Sequence, residues 1–487
     1  MDAGKGSSSG ASSFSSKRHL LDRAIGRAQA WGILESRGIA PAPVEERTDM
    51  HFYSLFSLWF SMSFSVLPIV TGMVGPLYGL SLRDSALVIL FFSLLTVIPA
   101  GYFATLGPKT GMRQMIQSRY AFGLYGNMLP VALNAATVTG FCILNSVIGG
   151  QTLAAVSDNK ISPNIGIVIL GVVSFIAVIG GYKVLHLFDR FAWIPTLVAI
   201  LVAVGCGGDK LHLQVPTEPA TAPAILSFGA LIAGYMIPWA GLSSDFCTYM
   251  PPSAPRWRIF SYVYGGLIIP SVPLMTLGAA IGCTVPRVPS WSQANDLNSA
   301  GGVLAEMLRP AGGFGKFCVV LLAFSVMANI VGSMYSISLN CQMFLPPLIR
   351  VPRPFFVLIV TAILIPVAIE AAKSFYSSLE NFVSVISYWS AAWVAIYLTE
   401  YTLFRKSSIH NMDPSIFQDA RQLPTGVAAV LAGCMSSALF IPGMAQTWYT
   451  GPIAEHTGDI GFEMAFAVSM LCYIPLRWLE IKIRGRA

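Results

Sequence analysis

The chain has 487 residues, 54% of them hydrophobic and only 11% charged, with a formal net charge of +7. Soluble globular proteins carry about 25% charged residues, because their surface has to meet water. Less than half that share excludes an ordinary soluble enzyme or binding domain and fits a chain whose surface faces lipid.

Residues 1–50 differ from the remainder. They begin Ser-rich (Ser7–Ser9, Ser12, Ser13, Ser15, Ser16) and continue with mixed charge. No apolar signal-peptide core lies there, so a flexible cytosolic tail without a cleaved leader is expected. Apolar runs near the ~20 residues that a membrane helix needs then follow one another. They fall near 52–80, 84–106, 126–157, 164–181, 187–207, 224–250, 258–283, 314–341, 353–371, 379–404, 422–441 and 461–481. This predicts an all-α membrane protein of about twelve spans in one transmembrane domain, 51–482, with a short cytosolic tail at 483–487. With the N-terminus inside, 23 of the 30 Lys and Arg residues fall on inner segments, among them Lys109, Arg113, Arg119, Arg256 and Arg353. Basic residues favour the cytosolic side, so the positive charge reads as topology, with both termini cytosolic. Nothing in it points to nucleic acid.

Spans one and six are interrupted by breakers. The first holds Pro68 to Gly72 and Gly75-Pro76; the sixth holds Gly234-Tyr-Met-Ile-Pro238-Trp-Ala-Gly241. Proline removes a backbone donor, and a broken helix in hydrocarbon persists only where it lines a cavity or is buried in protein. Interrupted helices at matching positions of two repeats mark a transporter's binding site. Two independent proline kinks are the plainer alternative.

The six histidines lie in tails, loops or span ends, which leaves no histidine relay through the bilayer. The eight cysteines form no metal-ligand spacing, and no nucleophile–base motif suggests an enzyme. No cofactor or metal is expected. What remains inside the spans is a sparse set of polar groups, and such groups are functional suspects. Asn145 follows Phe141 by four residues, so amide and ring share a helix face. Asn329 precedes Ser333 by four in span eight, and Trp239 follows Pro238 at the expected break. A ring can stack on a planar heterocycle, and a carboxamide can donate and accept along its edge. Each asparagine alone fits a helix–helix hydrogen bond equally well. For ion coupling the candidates are Asp245, Glu400 and Asp189, because a carboxylate in a low-dielectric site can load and release a proton. Pairing with Arg190 for Asp189, or with Arg405 or Lys406 for Glu400, is the alternative.

Several stretches resemble the fungal purine–cytosine permease branch of the nucleobase–cation symporter family, over nearly the whole chain. They are Glu35-Ser-Arg-Gly-Ile-Ala-Pro-Ala-Pro-Val-Glu-Glu-Arg-Thr-Asp49, Trp59-Phe-Ser, Gly107-Pro-Lys-Thr-Gly-Met-Arg113 and Ser118-Arg-Tyr-Ala-Phe-Gly123. Asn145-Ser-Val-Ile-Gly-Gly-Gln151, Trp239-Ala-Gly-Leu-Ser-Ser-Asp245, Met334-Tyr-Ser336 and Tyr388-Trp-Ser390 follow in the same order. The resemblance implies two inverted five-helix repeats plus two C-terminal helices, alternating access, and proton symport at the plasma membrane. It implies a substrate held between spans one, three, six and eight by Trp239, Asn145 and Asn329, with Ser63 or Ser65 added from span one. This chain departs from the pattern at Phe141, where relatives commonly have tryptophan. It also departs at Ile330 and Gly332, where they have a second asparagine and a proline. A polar-edge site discriminates strongly once its partners change. Nucleobase import is therefore the leading expectation, pyridoxine or another small heterocycle the alternative, and a non-transporting nutrient sensor a third. No obligate protein partner is evident.

Overall fold

The computed structural model describes residues 38–158, 160–179 and 191–485. Helices account for most of it, as they must where no water can satisfy the backbone. The sheet among the described residues is a two-residue antiparallel pair, Ala445–Gln446 against Tyr449–Thr450. The main helices are α1 (Tyr53–Ser63), α2 (Val66–Met73), α3 (Leu82–Thr96), α4 (Ile98–Ala104), α5 (Met128–Val156) and α6 (Pro163–Ile179). They continue as α7 (Trp193–Gly207), α8 (Ala222–Met236), α9 (Arg256–Thr284), α10 (Pro289–Leu308) and α11 (Gly312–Phe324). The last are α12 (Met327–Phe344), α13 (Arg353–Ala371), α14 (Phe375–Thr399), α15 (Val427–Phe440) and α16 (Gly461–Arg484). Eight helical runs among the described residues are long and apolar enough to cross a membrane, nine if the bent pair α1–α2 is one span. Two shorter apolar helices, Pro163–Val178 and Val427–Phe440, stand where spans four and eleven are expected. Asp189 and the start of the expected fifth span lie outside the described residues, as do 1–37 of the tail.

The helices sort into groups. Helices α1 to α4 pack with α8 and α9, so spans one, two, six and seven form one bundle. Helices α5, α6, α12 and α13 form a second group from spans three, four, eight and nine, and α14, α15 and α16 pack together beside them. Members five spans apart thus occupy the same group, as a five-helix repeat requires. In the first bundle two backbones touch. A Cβ on Gly72 of α2 would lie 1.8 Å from the Met275 carbonyl, and one on Gly278 of α9 would lie 1.9 Å from the Ile69 carbonyl. Small residues at such crossings let membrane helices pack closely where hydrophobic force between them is absent.

Both expected interruptions exist, one of them displaced. Span one breaks at Phe64 and Ser65, where the backbone turns extended, and α1 and α2 meet at 54°. The break therefore lies ahead of Pro68, which sits in the first turn of α2, where a missing N–H costs nothing. Gly75 and Pro76 begin the 3-10 turn Gly75–Tyr78 that ends the span. In span six the α-helix stops at Met236 and tightens into the 3-10 turns Ile237–Gly241 and Ser243–Phe246, as Pro238 predicts. One helix is unexpected: α10, in the stretch read as an outer loop, is too polar for a hydropathy reading and bends at Asn298 and Ser299.

The described end of the N-terminal segment is docked. Arg47 is buried and donates to the carbonyls of Ala42 (2.8 Å), Pro108 (3.1 Å), Lys109 (3.0 Å) and Thr110 (3.1 Å). Three of these belong to the short helix Gly107–Thr110, whose carbonyl end favours a cation. Gly111 closes that helix at φ +68°, and a Cβ there would meet the Arg47 guanidinium at 2.4 Å.

Candidate functional site

The groups singled out from spans three, six and eight converge. Phe141 and Asn145 project from α5, Trp239 from the 3-10 turn after α8, and Asn329 from the first turn of α12, all of them buried. Phe141 and Trp239 stack with ring centroids 4.9 Å apart and planes at 29°. Tyr235 and Phe382 stand edge-on to Phe141 at 5.7 and 5.6 Å, and Trp59 stands edge-on to Trp239 at 6.1 Å. Edge-to-face and offset contacts of this kind hold ring orientation, so the central pair is clamped in an aromatic box.

The amides lie beside that box. Asn145 Nδ2 donates to the Phe141 carbonyl (2.8 Å) and to Asn329 Oδ1 (3.0 Å). Asn329 Nδ2 donates to the Met62 carbonyl (3.0 Å), and Ser333 Oγ donates to Asn329 Oδ1 (3.3 Å). Met62 lies in the last turn of α1, where carbonyls lose their helical partners. The break in span one therefore presents a backbone acceptor that span eight fills. Beyond the break, Ser325 Oγ accepts the Val66 N–H that opens α2 (3.3 Å). Ser63 and Ser65 are both buried on either side of Phe64. Two polar atoms in this neighbourhood are buried with no partner among the described residues, Asn145 Oδ1 and Trp59 Nε1. One is an acceptor and the other a donor, and each left unmet costs about 1–3 kcal/mol. At the positions that depart from the resembled pattern, Ile330 is fully buried, and a Cβ on Gly332 would lie 2.8 Å from Met62 Sδ.

The acids have distinct settings. Asp245 is buried beyond the span-six break. Its Oδ1 accepts the Gln114 N–H (2.9 Å), its Oδ2 accepts the Ser336 O–H (2.6 Å), and its carbonyl accepts from the Arg113 guanidinium. It therefore ties span six both to span eight and to the 107–123 segment. Glu400 instead sits in the π-turn Glu400–Phe404 that ends α14. It pairs with Arg477 of α16 and Arg405, each at 3.0 Å, and accepts the Tyr473 O–H at 2.9 Å. The expected partner Arg405 is present; the main one, Arg477, lies 77 residues away and could not be chosen from local spacing. Among the described residues no three His, Cys, Asp or Glu side chains gather as a metal site.

Reading the sequence missed Trp59, Tyr235 and Phe382 as parts of the box. Trp59 stands four residues before Ser63, one helical turn below the break, and that spacing was the available signal.

This arrangement has known relatives. The family described as permease for cytosine/purines, uracil, thiamine, allantoin matches residues 41–463. The chain is similar to the purine-cytosine permease fcyB of Emericella nidulans, with 33% identity over 93% of this chain and 90% of that protein. It is 28% identical to the vitamin B6 transporter TPN1 of Saccharomyces cerevisiae, over 98% of this chain and 93% of the other. The fold matches Mhp1, a nucleobase-cation-symport-1 family transporter solved in a closed conformation with bromovinylhydantoin bound. Its TM-score is 0.70 at 15% identity, covering 93% of this chain and 96% of that one. With the family matched over most of its length, the chain belongs to the permeases for cytosine/purines, uracil, thiamine and allantoin, and is a multi-pass membrane transporter.

Proposed function

We propose that this permease imports a nucleobase, cytosine or a purine, by proton symport and alternating access at the plasma membrane, with both termini cytosolic. The observation that carries the reading is the Phe141–Trp239 ring pair flanked by the Asn145–Asn329 amide pair, at the breaks of spans one and six. A planar base enters by parting the two rings and stacking between them, a contact of about 1–3 kcal/mol per base. Its edge meets the acceptor Asn145 Oδ1, the donor Trp59 Nε1 and the Asn329 amide, with Ser63 or Ser65 adding a hydroxyl from the break. The purine–cytosine name of the 33% identical relative supports the cargo class.

Asp245 is the coupling acid in this reading. Its carboxylate accepts hydrogen bonds from span eight and from the 107–123 segment. Protonation turns one oxygen into a donor, weakens those bonds, and frees the segment after the span-six break to move. Glu400 is assigned to holding α14 against α16, since two guanidinium groups already neutralise it.

A second reading, pyridoxine as cargo on the same scaffold, is favoured by Phe141 and Ile330, which offer a smaller ring and one amide fewer. The similarity to a vitamin B6 transporter supports it as well. Uptake in a yeast strain lacking its own nucleobase and pyridoxine permeases separates the two. Saturable, protonophore-sensitive uptake of labelled cytosine, adenine or hypoxanthine is expected, greater at low external pH. Uptake of pyridoxine alone moves the cargo to the second reading, and no uptake of any of the four by protein seen at the cell surface overturns both. Asp245→Asn should abolish the pH dependence; a variant with the wild-type pH profile removes Asp245 from coupling.

A further inference from the structure

From Trp239 a chain of touching aromatic rings continues towards the side to which the basic residues assign the cytosol. Trp59 stands edge-on to Trp239 at 6.1 Å and edge-on to Phe246 at 5.6 Å. Phe246, in the second 3-10 turn of span six, stacks on Tyr335 of α12 at 5.9 Å and 29°. The guanidinium groups of Arg113 and Arg353 lie over the Tyr335 ring at 5.7 and 5.3 Å. Exposure rises along the chain: Phe141, Trp59 and Trp239 are buried, whereas Phe246 and Tyr335 are partly exposed. The rings therefore lead from a buried centre to a partly exposed inner end, and they do so along the seam between span six and span eight.

The inner pair has the composition of the central one. In each, a ring from the broken part of span six stacks on a ring from the second helix group, with polar groups at the edge. At the centre these are Trp239, Phe141 and the asparagine amides; at the inner end they are Phe246, Tyr335 and two guanidinium planes, which stack on bases and donate to carbonyl oxygens. The Ser336–Asp245 hydrogen bond lies one residue away from the stack on both elements. A movement that breaks it also parts Phe246 from Tyr335. We infer that Phe246 and Tyr335, with Arg113 and Arg353, form a second stacking station for the planar heterocycle. It lies on the cytosolic side of the central site and is reached past Trp59. The inference rests on the functional reading above, that the cargo is such a ring compound.

A station on that side is met first by cargo arriving from the cytosol and last by cargo arriving from outside. The test uses the full chain in the same permease-deficient yeast, further unable to deaminate cytosine, and measures labelled cytosine uptake and its efflux from preloaded cells. Tyr335→Ala should raise the internal KM for efflux at least about fivefold, the low end of one base–aromatic stack, and leave the external KM for uptake unchanged. Tyr335→Phe, which keeps the ring, should behave as the wild type. If Tyr335→Ala does not reach the surface, Phe246→Leu carries the same test. An unchanged internal KM, or equal rises on both sides, overturns the second station while leaving the functional reading intact. A wild-type protein at the surface that moves neither cytosine nor any other ring compound overturns both.

Discussion

Glu400→Gln is the perturbation whose size the structure fixes best. The Glu400 side chain is 1% exposed and that of Arg477 is fully buried. Glu400 Oε2 accepts from Arg477 Nε (3.0 Å) and Tyr473 Oη (2.9 Å), and its Oε1 accepts from Arg477 Nη2 (3.0 Å). Removing the charge leaves the Arg477 guanidinium with Glu480, at 3.1 Å, as its remaining carboxylate, and takes the carboxylate from Arg405 as well. Breaking a buried pair on one side costs about 3–5 kcal/mol, because the other charge stays desolvated and unmatched. A loss of that size should lower Tm by a few degrees. The assay is the temperature at which a detergent-solubilised fluorescent fusion loses its monodisperse peak. The double variant Glu400→Gln/Arg477→Met should recover at least half of the loss, since it withdraws the stranded cation together with its partner. A single variant whose Tm stays at the wild-type value, combined with altered pH dependence of uptake, would refute the assignment. Glu400 would then act in transport rather than as a tie between α14 and α16.

The groups proposed to bind the cargo give two more expectations. Asn329→Ala removes the acceptor for Asn145 and Ser333 and the donor to Met62, and should raise the uptake KM about 5- to 150-fold, the range of one to three kcal/mol. Normal uptake at unchanged surface level would take Asn329 out of the site. Phe141→Trp enlarges the ring facing Trp239 and should shift competition towards purines and cytosine. An unchanged competition profile would mean that this ring does not select.

Much of the architecture was legible in the residues. Apolar runs located the long apolar helices, eight or nine of which among the described residues can cross a membrane, and Pro238 placed the end of the α-helix in span six, because both depend on local chemistry: hydrophobic length against bilayer thickness and a missing backbone donor. The same local logic put the break of span one at its prolines, and there it failed. Pro68 is tolerated in the first turn of α2, whereas the break at Phe64 and Ser65 is supported from a distance by Ser325 and by Asn329 on the Met62 carbonyl. The polar helix α10 escaped because hydropathy cannot see a helix that need not face lipid.

The site divides in the same way. Periodicity put Asn145 and Phe141 on one helix face, and composition left few other polar groups in the membrane to choose from. Which of those groups meet was decided by the packing of spans three and eight against the breaks in spans one and six. That packing put Asn145 against Asn329 at 3.0 Å and Phe141 against Trp239 at 4.9 Å, and brought Trp59 beside them. It also set Arg477 against Glu400, where sequence spacing offered only Arg405 or Lys406. By itself the sequence determined what each segment could be in lipid, since solvation and backbone propensity act within a helix. Only the tertiary structure decided partners, because hydrogen bonds and ring contacts across 77 to 267 residues depend on how separate helices come together.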